Sequence, residues 1–156
     1  MLVPLFLFTK KLLSAPTFYI SAYFEANRDR YYHHLRAISE EDDWNGWIHF
    51  FLTALYEQAL ENTKKAKAIL ELYQKMKADI PEITHSRYAI RAIDTLFNRP
   101  IFLISDFVKE SKIPKNSSYR ILDALEKNGI IDSLIEGKGR KATVMIFTKL
   151  LDIAEN

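Results

Sequence analysis

Lys115, Asn116, Ser117, Tyr119 and Arg120 crowd into one short stretch of the chain, KNSSYR. Arginine and asparagine can form paired hydrogen bonds to base edges, while lysine, serine and tyrosine suit phosphate oxygens. Three more cations, Lys138, Arg140 and Lys141, fall in the glycine-containing stretch EGKGRK. The chemistry open to this set is recognition of a polyanion, and double-stranded DNA is the expected partner. The competing reading is a solvated helix start with an ordinary cap. Asp123, Glu126, Asp132 and Glu136 lie nearby, and residues 99–156 carry ten Lys/Arg against eight Asp/Glu, a net of +2. Affinity for DNA is therefore expected to be modest and strongly salt-dependent.

These residues need elements that aim them. Pro114 stops whatever helix precedes it, and a new helix is predicted from near Asn116 with Ile121, Leu122 and Leu125 turned inward. Gly129 follows as its C-cap. Upstream, Ser105 is the expected cap of the short helix DFVKES, with Asp106 near its positive end. PIFLI reads as a short extended run. HSRYAIRAIDTLFNR reads as a helix with Tyr88, Ile90, Ile93, Leu96 and Phe97 as its apolar positions. IIDSLI and ATVMIF read as two strands joined by EGKGRK as a hairpin tip. Helix, short strand, helix, turn, helix, strand, basic tip, strand is the order of a winged helix-turn-helix, a small α+β domain expected over residues 84–156.

The first half of the chain is predicted to be helical throughout. MLVPLFLFTKKLL has its lysines after the apolar run and is too short to cross a bilayer, so it reads as a buried helix. Ser21 is the expected cap of AYFEANRDRYYHHLRAI, whose stripe is Tyr23, Phe24, Tyr31, Leu35 and Ile38. SEEDD is a charged connection, and Asp43 is the expected cap of a long helix. That helix carries Trp44, Trp47, Ile48, Phe51, Leu55 and Ala59, then Ala66, Ile69, Leu70, Tyr73 and Met76, as one element or as two with a bend near Asn62. Pro81 breaks the pattern and marks the expected domain boundary, giving a helical domain over 1–80. The chain is mainly α in class.

Composition bounds the rest. The chain has 156 residues, 48% of them hydrophobic and 27% charged, with a net charge of +2 and only 4 Gly. That fits a globular protein of one or two small domains built from helices and short loops. The absence of cysteine excludes disulfide scaffolds, thiolate metal sites and thiol catalysis, and it suits a reducing cytoplasm.

Two blocks carry a resemblance: SAYFEANRDRYY at Ser21 to Tyr32 and DDWNGWIHFFL at Asp42 to Leu52. Over residues 1 to about 80 the chain resembles the Fic family, whose members commonly transfer AMP from ATP to a hydroxyl side chain of a target protein. The winged helix behind it resembles the C-terminal domain of many bacterial members. The resemblance also bears on the start of the chain. In the family, a catalytic loop of the form His-x-Phe-x-Asp/Glu-Gly-Asn-Gly-Arg-x-x-Arg runs into a helix, and MLVPLFLFTKKLLS is similar to that helix. The expectation is a truncated Fic-like bundle that begins just downstream of the motif.

The family chemistry needs a general-base histidine and a glycine-lined, arginine-bearing loop for the phosphates. His33, His34, His49 and His85 have no such surroundings, and no Gly-Asn-Gly occurs. The family's inhibitory Ser/Thr-x-x-x-Glu-Gly/Asn pattern is missing as well: Ser133 to Glu136-Gly137 has one residue too few, and Thr53 to Glu57 is followed by Gln58. No AMP transfer, no catalytic residue and no cofactor are expected of this chain.

Other candidates read as structure. His33 and His34 are adjacent, point about 100° apart on a helix and have no ligand at a zinc-protease spacing, so no metal is expected. EGKGRK lacks the Gly-Lys-Ser/Thr ending of a phosphate loop. Trp44 and Trp47 are in phase with the core. Asn27, Arg28, Tyr31 and Tyr32 belong to a block that helps frame the nucleotide side of the family fold, and are expected here to brace the core. Three functional readings remain open from sequence. The first is a non-catalytic Fic-related protein whose winged helix binds DNA or regulates a partner. The second is a fragment of a full AMP-transferring enzyme. The third is an interaction module that forms a homodimer or docks another protein. None involves a membrane.

Overall fold

A computed structural model describes residues 3–12, 20–135 and 142–155. They divide into two compact units, Met1–Lys64 and Lys65–Asn156. The division falls before the expected boundary at 80–84. Met76 and Ile80 are buried in the same cluster as Leu96 and Ile121, so residues 65–84 belong to the C-terminal unit.

In the N-terminal unit, α1 (Val3–Thr9) is followed by α2 (Ser21–Ala26) and α3 (Arg28–Glu41). The single helix expected after Ser21 is two helices, interrupted at Asn27 (φ −117°, ψ 38°). At the break, the backbone N–H of Asn27 and its side-chain amide both donate to the Tyr23 carbonyl at 3.0 Å. Ser21 does not act as the cap. The N-cap position is Ile20, itself helical, with no side-chain bond. Glu40 and Glu41 are the end of α3, and Asp42 makes the turn in the left-handed region (φ 55°).

The long helix α4 runs Trp44–Thr84 in one piece, through Asn62 and through Pro81. Asp43 caps it as expected, its carboxylate accepting the Gly46 N–H at 2.9 Å. A Cβ at Gly46 would collide with that carboxylate, so the cap itself requires a glycine there. His85, at φ 46°, ends the helix by donating its N–H to the Pro81 carbonyl at 2.9 Å.

The buried face of the first half of α4 differs from the expected stripe. Phe50 and Ala54 are buried, whereas Trp44, Ile48, Leu52, Tyr56 and Leu60 are at least half exposed. Trp44 is therefore not a core residue; its indole N–H donates to Asp42 at 2.9 Å beside the helix start. Periodicity could not choose the face because this stretch is apolar on nearly every side. The helix expected to be buried at the chain start is exposed as well. Leu5, Phe6 and Phe8 of α1 and Leu12 just after it all lie largely in solvent, since an apolar run does not by itself supply something to pack on. The buried centre of the unit is aromatic: Phe50 stacks on His34 (centroids 4.9 Å, 29°) and on Phe24 (6.0 Å, 22°), with Tyr23 and Trp47 at 6.1 Å.

The C-terminal unit adds α5 (Ala89–Asn98), β1 (Ile101–Leu103), α6 (Ile104–Ser111), α7 (Lys115–Lys127), β2 (Asp132–Ile135), β3 (Val144–Ile146) and α8 (Thr148–Glu155) to the end of α4. The sheet order is β1-β3-β2, antiparallel throughout. Phe102 pairs with Met145, and both point into the core. Residues 85–88, expected as helix, form a turn, and α5 buries Ala89, Ala92, Ile93 and Leu96 while Ile90 is exposed. Ser105 is not the cap of α6, which starts at Ile104, two residues earlier than expected, behind Leu103 with no side-chain cap bond. Helix α8 was not expected; its Thr148 hydroxyl donates to Asp132 at 2.9 Å.

Where α7 ends, Gly129 has φ 62°, its N–H reaches the Glu126 carbonyl at 2.9 Å, and the Ile130 N–H reaches Leu125 at 2.9 Å. This paired arrangement turns the chain sharply from α7 toward β2. A Cβ at Gly129 would meet nothing within 4 Å, so backbone strain alone should set the cost of substitution. Gly129→Ala is predicted to lose about 1–2 kcal/mol in urea unfolding at unchanged m-value, and Gly129→Asn less. Equal stability of Gly129→Ala and wild type would refute this account of the turn.

Candidate nucleic-acid interface

Helix α7 begins directly after a short turn in which Lys112 takes the left-handed region (φ 54°), Ile113 is buried and Pro114 sits at the N-cap position. Proline fits there because its missing N–H costs the helix nothing. The inner face of α7 is Ser118, Ile121, Leu122 and Leu125, all buried. Its register is set twice. Three aliphatic side chains enter the core, and the Ser118 hydroxyl, fully buried, donates to the Ile113 carbonyl at 3.3 Å.

With that face fixed, helical geometry turns Lys115, Asn116, Tyr119 and Arg120 outward. All four are exposed, and Ser117 is half-buried at the edge. Asn116 and Arg120 are one turn apart. The Lys115 ammonium lies over the Tyr119 ring at 6.0 Å. Farther along the same face, Lys127 holds Asp123 at 2.7 Å. Among the described residues Arg120 has no carboxylate in a salt bridge. The exposed start of α7 thus keeps its positive charge, and Asp123, the next acidic residue along the helix, already has a cation.

Lys138, Arg140 and Lys141 lie outside the described residues. The strands on either side of them, β2 and β3, pair in register from Asp132 opposite Ile146 to Ile135 opposite Val144, with an irregularity between Ser133 and Ile135.

The sequence pattern missed one part of the surface. A cleft of about 470 Å³ has His85, Ser86, Arg87 and Tyr88 on one side and Pro114, Ser117 and Arg120 on the other. Reading residues 85–88 as helix hid it. The useful signal was Ser86, whose hydroxyl accepts the Tyr88 N–H at 3.2 Å and whose carbonyl accepts the Ala89 N–H at 3.1 Å, a turn that opens α5.

The remaining chemical candidates of the N-terminal unit meet mainly one another and its aromatic rings. His33 meets the edge of His34 at 5.4 Å, and His34 stacks on Phe50. Among the described residues no group of three His, Asp or Glu side chains could hold a metal ion. Of the four residues expected to brace the core, Tyr31 packs on Phe24 (4.9 Å) and Trp47 (5.7 Å) and Asn27 is engaged in its turn, whereas Arg28 and Tyr32 are exposed and meet only at the surface, Arg28 lying over the Tyr32 ring at 5.8 Å. Burial and the neighbouring Glu57 raise the Tyr23 hydroxyl above its ordinary value. In the C-terminal unit, donation to Asp94 at 2.8 Å raises Tyr73. No described helix is long and apolar enough to cross a membrane. No family model matches the chain.

Neighbouring hydroxyls at positions 118 and 119 have opposite surroundings, which gives a direct test of the orientation of α7. Ser118→Leu forces new volume into a filled site and is predicted to cost about 1–3 kcal/mol. Tyr119→Ala, on the exposed side, is predicted to stay within about 0.5 kcal/mol of wild type. Urea titration of both variants checks this, and the reverse order would mean that α7 is rotated.

Proposed function

We propose that the C-terminal unit is a winged helix-turn-helix that binds duplex DNA, carried by a Fic-related helical unit that performs no AMP transfer of its own. Helices α6 and α7 and the turn between them form the helix-turn-helix, and the antiparallel pair β2 and β3, with the basic stretch of sequence between them, forms the wing. The observation that carries the reading is the start of α7. Asn116 and Arg120 stand exposed one turn apart, on a helix whose opposite face is locked in the core. The order of elements around them and the antiparallel sheet β1-β3-β2 support the same reading.

In this mechanism α7 enters the major groove by its first two turns. Arg120 and Asn116 address base edges, each good bidentate contact contributing about 1–3 kcal/mol of discrimination. Lys115 and Tyr119 address phosphates beside the groove, and Lys138, Arg140 and Lys141 extend the contact from the wing. The Fic relationship of the N-terminal unit rests on the Ser21–Tyr32 and Asp42–Leu52 blocks. They supply much of one aromatic cluster around Phe50, which is a structural use of the residues that carry the resemblance. The protein then acts as a regulator, by occupying DNA.

Fluorescence anisotropy with the full chain and a labelled duplex tests this at two salt concentrations. Binding is expected at about 50 mM salt and should fall steeply by about 200 mM. Arg120→Ala should weaken binding about tenfold or more, and Lys115→Ala and Lys138→Ala should each flatten the salt dependence. No binding at the lower salt, or wild-type binding by all three variants, would remove the proposal.

A further inference from the structure

We infer that the cleft between the 85–88 turn and the start of α7 is a phosphate clamp, which seats one phosphodiester of a DNA strand against Arg87 and Arg120. The inference rests on the DNA-binding reading and extends it to a second element outside the helix-turn-helix. Its basis is the cleft's composition. Arg87, Arg120, His85, Ser86, Ser117 and Tyr88 line about 470 Å³ together with Pro114, and no Asp or Glu is among the described residues that line it. Guanidinium and hydroxyl donors converging on one concavity, without an acidic side chain to satisfy them, match a tetrahedral oxyanion.

Arg87 is held ready for this. Its guanidinium donates to the Tyr88 hydroxyl at 2.6 Å and lies over the Tyr88 ring at 4.8 Å. Both contacts fix the plane of the guanidinium while most of its five N–H donors stay available. Among the described residues it has no salt bridge. A side chain ordered before binding loses less freedom when the ligand arrives. Ser117 fits the same role. It is half-buried in the cleft wall, turned from the outward face where Asn116 stands, and so it is placed for a phosphate oxygen and not for a base.

The geometry of a duplex gives the reason for assigning a strand to the cleft and not a free phosphate compound. An α-helix about 10–12 Å across fills a major groove about 12 Å wide, so the two sugar-phosphate strands must pass along its flanks. Arg120 and Ser117 belong to α7 and to the cleft at once. A strand passing α7 on that side therefore runs over the open cleft, and Arg87 reaches it from the far wall.

The test is Arg87→Ala in the full chain, with Arg87→Lys beside it, titrated with the same labelled duplex over a range of salt. Circular dichroism confirms that each variant is folded. Arg87→Ala should weaken binding roughly equally on unrelated duplex sequences. The slope of log K against log salt should fall in magnitude by about 0.9, the value of one phosphate contact. Arg87→Lys should restore most of the slope, because it keeps the charge. If Arg120→Ala loses affinity while Arg87→Ala keeps wild-type affinity and slope, the clamp is refuted and DNA binding stands. If wild type binds no duplex at low salt, both readings fall together. A third arm adds AMP and inorganic phosphate followed by NMR. Saturable shifts at Arg87 and Arg120, in a chain whose duplex binding ignores Arg87→Ala, would assign the cleft to a small phosphate ligand and overturn the proposal.

Discussion

Everything at the exposed start of α7 follows from the burial of its other side. Ile121, Leu122 and Leu125 share one core with Phe107, Ile113, Ile131 and Phe147, and each fully buried aliphatic or aromatic side chain contributes about 1.5–3 kcal/mol. Rotating α7 by one residue would expose part of that set and strand the Ser118 hydroxyl away from the Ile113 carbonyl. Orientation of the polar face is thus a consequence of apolar packing, and the polar residues need no contacts of their own to hold it. That independence leaves Asn116 and Arg120 free to meet a ligand.

The N-terminal unit solves a different problem. Its aromatic rings gather around Phe50, with Arg30 over the same ring at 5.6 Å, while a second set of large apolar side chains on α4 remains in solvent. Two arginines and a histidine in this unit, Arg28, Arg30 and His34, lie against aromatic rings. Such contacts order the arginines without taking their charge out of solvent.

How much of this was legible in the sequence depended on whether a residue acts through its neighbours in the chain. Asp43 as the cap of α4, Gly129 at the end of α7, Pro114 before it and the inward set Ile121, Leu122 and Leu125 are local features, and the pattern placed them correctly. Trp44 and Ile48 were assigned to the core because an all-round apolar helix has no preferred face in one dimension. The break at Asn27 lies in the backbone angles of one residue, and α4 continues through Pro81 with Met76 and Ile80 buried just before it. Neither is visible as periodicity. The cleft was invisible for the same reason: its two walls are separated by some twenty-five residues (Tyr88 to Pro114) and meet only in the fold.

The arrangement of charge also shows why a net of +2 is a poor guide to this surface. Arg99 is held by Asp106 and Glu110, and Lys127 by Asp123, so three carboxylates of the C-terminal unit are engaged with two cations, and neither Arg120 nor Arg87 is among the cations they hold. At an effective dielectric near 20, a paired charge a few ångströms from its partner has little field left beyond it, whereas an unpaired guanidinium keeps its own. Screening then confines what remains to about 8–10 Å at ordinary ionic strength. The electrostatic character of this surface is therefore a local property of the groups at Arg120 and Arg87, set by which carboxylates are already engaged and not by the total charge of the chain.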